Sequence, residues 1–119
     1  MAQHNETGKW GEGMAAAYLQ EKGYVILEHD WRSGHRDIDL VARKDDLTVF
    51  VEVKTRADER LVEAVKAVDY QKRQNLRKAI NSYVKMHEVD TDIRFDVIAV
   101  IGTPGSMPRI EHLEDVWIF

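Results

Sequence analysis

Ile38-Asp39-Leu40-Val41-Ala42, the turn Lys44-Asp45-Asp46, and Val49-Phe50-Val51-Glu52-Val53-Lys54-Thr55-Arg56 form the stretch whose reading decides the fold. Two apolar, partly β-branched runs around a short polar turn predict a hairpin, with strands over residues 38–42 and 47–54. Aspartate is depleted in strands, so Asp39 among Ile38, Leu40 and Val41 calls for a reason. Asp37 lies two residues away, on the same side by strand alternation. Glu52 and Lys54 share one side of the second strand, and Glu52 is flanked by Phe50, Val51 and Val53. A charge in such apolar surroundings needs a partner or a metal. Closing the hairpin over Asp45 brings Asp39 and Glu52 opposite each other. Hard oxygen donors in that arrangement suit Mg²⁺, which takes carboxylates, waters and phosphate oxygens. A cross-strand Asp–Lys or Glu–Lys ion pair explains the same residues with equal weight.

Working outward, residues 8–22 read as a helix rich in Ala15, Ala16, Ala17, Leu19 and Gln20, with Gly23 as its stop. Residues 24–28 read as a strand, and Ser33-Gly34 as a turn. A long helix runs from Val62 or Asp69 to Met86, with Val65, Val68, Leu76, Ala79, Ile80 and Tyr83 on one face. Residues 93–101 form a further strand. Residues 102–108, which hold both prolines, form a loop, and residues 109–119 hold a last strand. The order α-β-β-β-α-β-β predicts an α/β fold, a central mixed sheet flanked by helices.

Two charged residues stand on helix faces that should be apolar. Glu12 shares a face with Ala15, Ala16 and Leu19, although a glutamate near a helix N-terminus is also favoured by the macrodipole. Lys72 falls among Val65, Leu76 and Tyr83, where it can reach a phosphate or snorkel to water. Between Lys66 and Lys85 stand six basic residues and one acid, a local balance of +5. With Arg32, Arg36, Arg56, Lys72 and Arg73, the chain offers cations for a nucleic-acid backbone. A solvated helix face accounts for the charge run alone.

The totals narrow the function classes. The chain has 119 residues, 44% apolar and 32% charged, and a net charge of −4. That predicts one domain over residues 1–119, not disordered, and no general DNA-coating protein. It has no cysteine, which removes disulfides, thiol catalysis and cysteine-held zinc, and fits the cytoplasm. Residues 1–10 lack the apolar segment of a signal peptide, and no apolar run reaches bilayer length. The five histidines form no metal-binding spacing and read as surface residues. Trp10, Trp31 and Trp117 read as packing residues.

These motifs together resemble a known family. Gly11-Glu12 with Ala15 and Tyr18-Leu19, Gly23-Tyr24-Val25-Ile26-Leu27, Ile38 to Ala42, Val49 to Arg56, and Arg94-Phe95-Asp96-Val97-Ile98 are similar to the YraN family of bacteria, over nearly the whole chain. That family is itself similar to Holliday junction resolvases. The resemblance implies a restriction-endonuclease-like PD-(D/E)XK core. It further implies Asp39 and Glu52, with the Val53 carbonyl, as ligands of Mg²⁺ or Mn²⁺, and Lys54 as the lysine of the E-x-K element. Glu12 and Lys72 match the family's first-helix glutamate and long-helix lysine. Two departures stand out: Arg36-Asp37 replaces the usual Gly-Glu, and residues 58–62 lack the usual Phe-Gly and proline. The expectation is a metal-dependent endonuclease on structured or branched DNA, with a homodimer suiting a branched substrate. The alternative is a non-catalytic module binding nucleic acid or a partner on the same fold.

Overall fold

A computed structural model describes residues 6–57 and 70–117. Along them run α1 (Glu6–Glu21), β1 (Val25–Ser33), β2 (Arg36–Lys44), β3 (Leu47–Arg56), α2 (Tyr70–Met86), β4 (Asp92–Ile101) and β5 (Arg109–Leu113). The expected order holds. The five strands form one sheet in the order β1-β2-β3-β4-β5. Its pairs are antiparallel except β3 with β4, which is parallel. The protein is therefore α/β, and the described residues place one helix on each face of the mixed sheet.

Alternation along the strands divides the core in two. On one face Ala15, Ala16 and Leu19 of α1 pack with Leu40, Ala42, Val49, Val51, Ile98 and Val100. On the other, Leu76, Ala79, Ile80 and Tyr83 of α2 pack with Ile38, Val41, Phe50, Phe95 and Val97. Tyr83 meets Phe50 and Trp31 edge-on, with ring centroids 5.6 and 5.2 Å apart. β3 lies inside both layers, which is why its sequence is a nearly continuous apolar run. Val65, Val68 and the 58–62 loop lie outside the described residues.

The helix ends follow from local chemistry. At the end of α1, Tyr24 N–H reaches the Leu19 carbonyl and Gly23 N–H the Gln20 carbonyl, each at 3.0 Å. Gly23 takes φ +94°, so this is the glycine-closed Schellman ending that the sequence predicts. The β2–β3 hairpin turns at Asp45, which itself takes φ +54°.

Two expectations are corrected. β1 continues to Ser33 instead of stopping near Glu28. As an edge strand it keeps Glu28, His29 and Asp30, whose polarity obscures the pattern in the sequence. His112 is not a surface residue, since its side chain is 5% exposed. Its Nε2 donates to Asp96 at 2.7 Å, and its Nδ1 pairs with the Tyr18 hydroxyl at 3.1 Å. Trp10 and Trp31 pack against the two cores as expected, whereas Trp117 is exposed.

Asp96 is the centre of this buried polar group. Besides His112, it accepts from Arg94 Nε and Nη2, both at 2.8 Å, and from Asp115 N–H at 3.0 Å. Burial alone would raise its pKa. The His112, Arg94 and Asp115 hydrogen bonds outweigh burial and hold the carboxyl below the ordinary range.

Candidate active site

The site begins where β2 and β3 part. Their ladder runs from Lys44↔Leu47 to Leu40↔Val51. Ile38 packs on the α2 face and Leu40 on the α1 face, so the strand turns over at Asp39. Past the ladder's end, Asp39 Oδ2 accepts the Val53 N–H at 2.8 Å. The aspartate thus supplies the acceptor that the departing backbone no longer offers.

Glu52 and Lys54 point to the α2 side of β3, as their spacing predicts. Glu52 is buried, at 6% exposure. Lys54 Nζ lies 3.1 Å and Lys72 Nζ 2.7 Å from the same oxygen, Glu52 Oε2. Lys72 comes from the first turns of α2 and keeps 43% of its side chain exposed. Its inward position is therefore real, and it reaches a carboxylate while its stem stays partly in water. Burial lowers the Lys72 pKa, but the charge and hydrogen bond of Glu52 outweigh it and raise the net value.

A cleft of about 350 Å³ gathers these groups. It is lined by Asp37, Asp39, Glu52, Val53, Lys54, Thr55, Arg56 and Lys72, and by Thr7, Gly8 and Glu12 from the start of α1. Every residue expected in the catalytic set therefore lies on one cleft. Of the expected phosphate contacts, Arg56 and Lys72 line it. Arg32, Arg36 and Arg73 do not. Arg32 pairs with Asp30 at 3.3 Å, and Arg36 precedes the lining residue Asp37. Thr7 and Gly8 carry no charge or motif that marks them in the sequence, and Thr55 is marked only as a member of the Val49 to Arg56 run.

Electrostatics set Asp39 apart. Its pKa is pushed up to about 8, first by burial, then by the Glu52 charge. The Val53 hydrogen bond opposes the shift, while Glu12 and Asp37 add to it. Acidic side chains from α1, β2 and β3 thus share one poorly solvated place. Among the described residues, no group of three or more His, Asp or Glu side chains stands at metal-holding spacing. The donors on offer are the pair Asp39 and Glu52, whose mutual repulsion a hard divalent cation would relieve. One or two carboxylates with waters and phosphate is the usual Mg²⁺ set, so the residues fit such an ion.

Fold and cleft define an α/β protein with a mixed sheet, whose acidic centre is rimmed by lysine and arginine at the ends of the parallel strands. The family described as Uncharacterised protein family UPF0102, the YraN family, matches residues 11–100, and the chain belongs to it. A UPF0102 protein of Bacteroides thetaiotaomicron is 44% identical over 117 residues, covering 98% of this chain and 96% of its own. One from Flavobacterium psychrophilum is 43% identical over 117 residues, covering 98% of each. Another, from Bacteroides fragilis, is 42% identical over 117 residues, covering 98% and 96%. No helix among the described residues is long and apolar enough to cross a membrane.

Proposed function

We propose that this protein is a Mg²⁺- or Mn²⁺-dependent endonuclease with a PD-(D/E)XK core, hydrolysing phosphodiester bonds in structured or branched DNA. The observation that carries the reading is the pairing of two poorly solvated carboxylates, Asp39 and Glu52, with two ammonium groups in one cleft. An isolated ion pair needs one cation and one anion. Here both lysines lie on Glu52, while burial and the charges of Glu52, Glu12 and Asp37 resist the ionisation of Asp39, a repulsion that a bound cation would relieve.

Asp39 and Glu52, with the Val53 carbonyl, would hold the ion. When bound, it polarises the scissile phosphate and offsets the charge that develops on it. Lys54 positions the attacking water and favours its deprotonation. Lys72 neutralises a phosphate oxygen once it leaves Glu52. Glu12 steadies the acidic side of the cleft, and Arg56 grips a phosphate at its rim. Arg32, Arg36 and Arg73, outside the cleft, fit phosphates farther along the strand. A twofold pair of chains would present two such clefts to a branch point.

The test is cleavage of labelled branched, flapped, duplex and single-stranded DNA with Mg²⁺ or Mn²⁺, comparing wild type with Glu52→Ala. Cleavage of a branched or flapped substrate should fall at least about a hundredfold in the variant, the scale of losing an electrostatic stabiliser. Equal residual activity in both proteins on every substrate would remove the nuclease reading. Binding that persists without any metal-dependent cleavage would make the protein a non-catalytic nucleic-acid module.

A further inference from the structure

Helix α1 is seated on β3 through one glycine. Gly11 is buried on the face that carries Ala15 and Leu19. A Cβ built at Gly11 would overlap Thr55 Oγ1 and would lie 3.0 Å from Thr55 Cβ and 3.1 Å from its Cγ2. Rotating the threonine can swing Oγ1 aside, but the crowding from a branched side chain whose Cβ and Cγ2 also lie within about 3 Å is not relieved altogether. Helix and strand would have to give by a few tenths of an ångström on top of that rotation, and interiors packed at crystal-like density resist even small shifts. Gly13, two residues on, would place its Cβ in open space with nothing within 4 Å. The close approach belongs to Gly11 alone of the two.

The contact sits between residues that matter. Gly11 precedes Glu12, and Thr55 follows Lys54; Glu12, Lys54 and Thr55 all line the cleft. Glu12 is near enough to Asp39 for its charge to bear on that carboxyl. We propose that Gly11 is a positioning residue. By admitting the Thr55 side chain against the helix backbone, it sets the depth at which α1 delivers Glu12 to the acidic centre. The cation affinity of the cleft then depends on a missing methyl group one residue away. This rests on the reading that the cleft holds a divalent cation.

The experiment measures Mn²⁺ binding by titration calorimetry on the full chain, for wild type, Gly11→Ala, Gly13→Ala, Thr55→Ala and Gly11→Ala/Thr55→Ala. Gly11→Ala should weaken Mn²⁺ binding roughly tenfold, and Gly13→Ala should stay within about twofold of wild type. The double variant should recover most of the loss relative to Thr55→Ala, because alanine removes the overlapping Oγ1 and the crowded Cγ2 and leaves only the tight Cβ contact. Gly11→Ala binding as tightly as wild type would overturn the proposal, and so would equal losses for Gly11→Ala and Gly13→Ala. If Gly11→Ala fails to fold, a folded double variant with Mn²⁺ affinity near that of Thr55→Ala sustains it, and a double variant that also fails overturns it. If wild type takes up no Mn²⁺, the nuclease reading falls. Gly11 is then judged from crystal structures of the same variants. An α1 displaced from β3 in Gly11→Ala and returned in the double variant sustains its seating role, and an unmoved helix overturns it.

Discussion

Asp96 is fully buried and Asp39 partly buried on the cleft wall, yet their carboxyl groups behave oppositely. Asp96 receives hydrogen bonds from Arg94, His112 and Asp115, and its pKa is lowered against the pull of burial. Asp39 receives one from Val53, faces Glu52, Glu12 and Asp37, and is pushed up to about 8. The first is a satisfied structural charge, and the second is a carboxyl whose burial and acidic neighbours resist its ionisation. Replacing Asp96 with Asn leaves Arg94 without its carboxylate and sets an amide N–H₂ among donors. The variant should lose about 3 kcal/mol at neutral pH, the scale of breaking a buried pair. The sign with pH follows from the lowered value. The charge of Asp96 contributes stability above about pH 4, its unfolded value, and that stability disappears as pH falls through the lower folded value. Urea denaturation across this range should show the gap between wild type and Asp96→Asn closing in acid. A gap that stays constant would mean the ionised carboxyl is not what holds this region.

At the scale of elements, the first turns of α2 carry the more exposed of the two ammonium groups on Glu52. Lys72 shares Oε2 with Lys54, is the more exposed of the two lysines, and belongs to a different element. An arriving cation must compete with it. Lys72→Met should therefore tighten Mn²⁺ binding in calorimetry by roughly tenfold, after allowance for partial exposure, while weakening DNA binding. Unchanged Mn²⁺ affinity would show that the Lys72 contact does not guard the carboxylate. The hairpin and the inward lysine were legible in the sequence because both express a simple period, two for strands and 3.6 for helices. The same periods concealed other features. Ile38 and Leu40, two residues apart, face opposite layers, a reversal that no alternation rule anticipates. His112 looked superficial because its partners, Asp96 and Tyr18, are 16 and 94 residues away. Gly11 was visible as a glycine, but its reason lies in a contact across 44 positions, with Thr55.

At the scale of the whole molecule, charged side chains of both signs gather at each end of the parallel strands. Lys54 and Arg56 lie at the C-terminal end of β3, beside Lys72. Asp46, Asp90 and Asp92 gather with Arg43 and Thr91 at the other end, where Asp92 N–H meets the Asp46 carbonyl at 3.2 Å. In a chain of net charge −4, Lys54, Arg56 and Lys72 are the cations the cleft can offer a polyanion, beside its own Glu12, Asp37, Asp39 and Glu52. Duplex binding by anisotropy should weaken with NaCl at a log–log slope on the order of −3 to −4, fitting three or four neutralised phosphates. A slope near zero would exclude phosphate as the main ligand. The mixed sheet also has a kinetic side. β3 meets β2 through a short turn, but each of its contacts with β4, from Leu47↔Asp92 to Arg56↔Ile101, joins residues 45 positions apart. Loop-closure entropy makes such pairing slow relative to the hairpin. Asp39, Glu52 and Lys54 can therefore come together early on the nascent hairpin, while Lys72 and the strand that shields their far side arrive only after the later half of the chain is made. A newly synthesised chain passes through a stage in which its acidic centre exists without its basic guard.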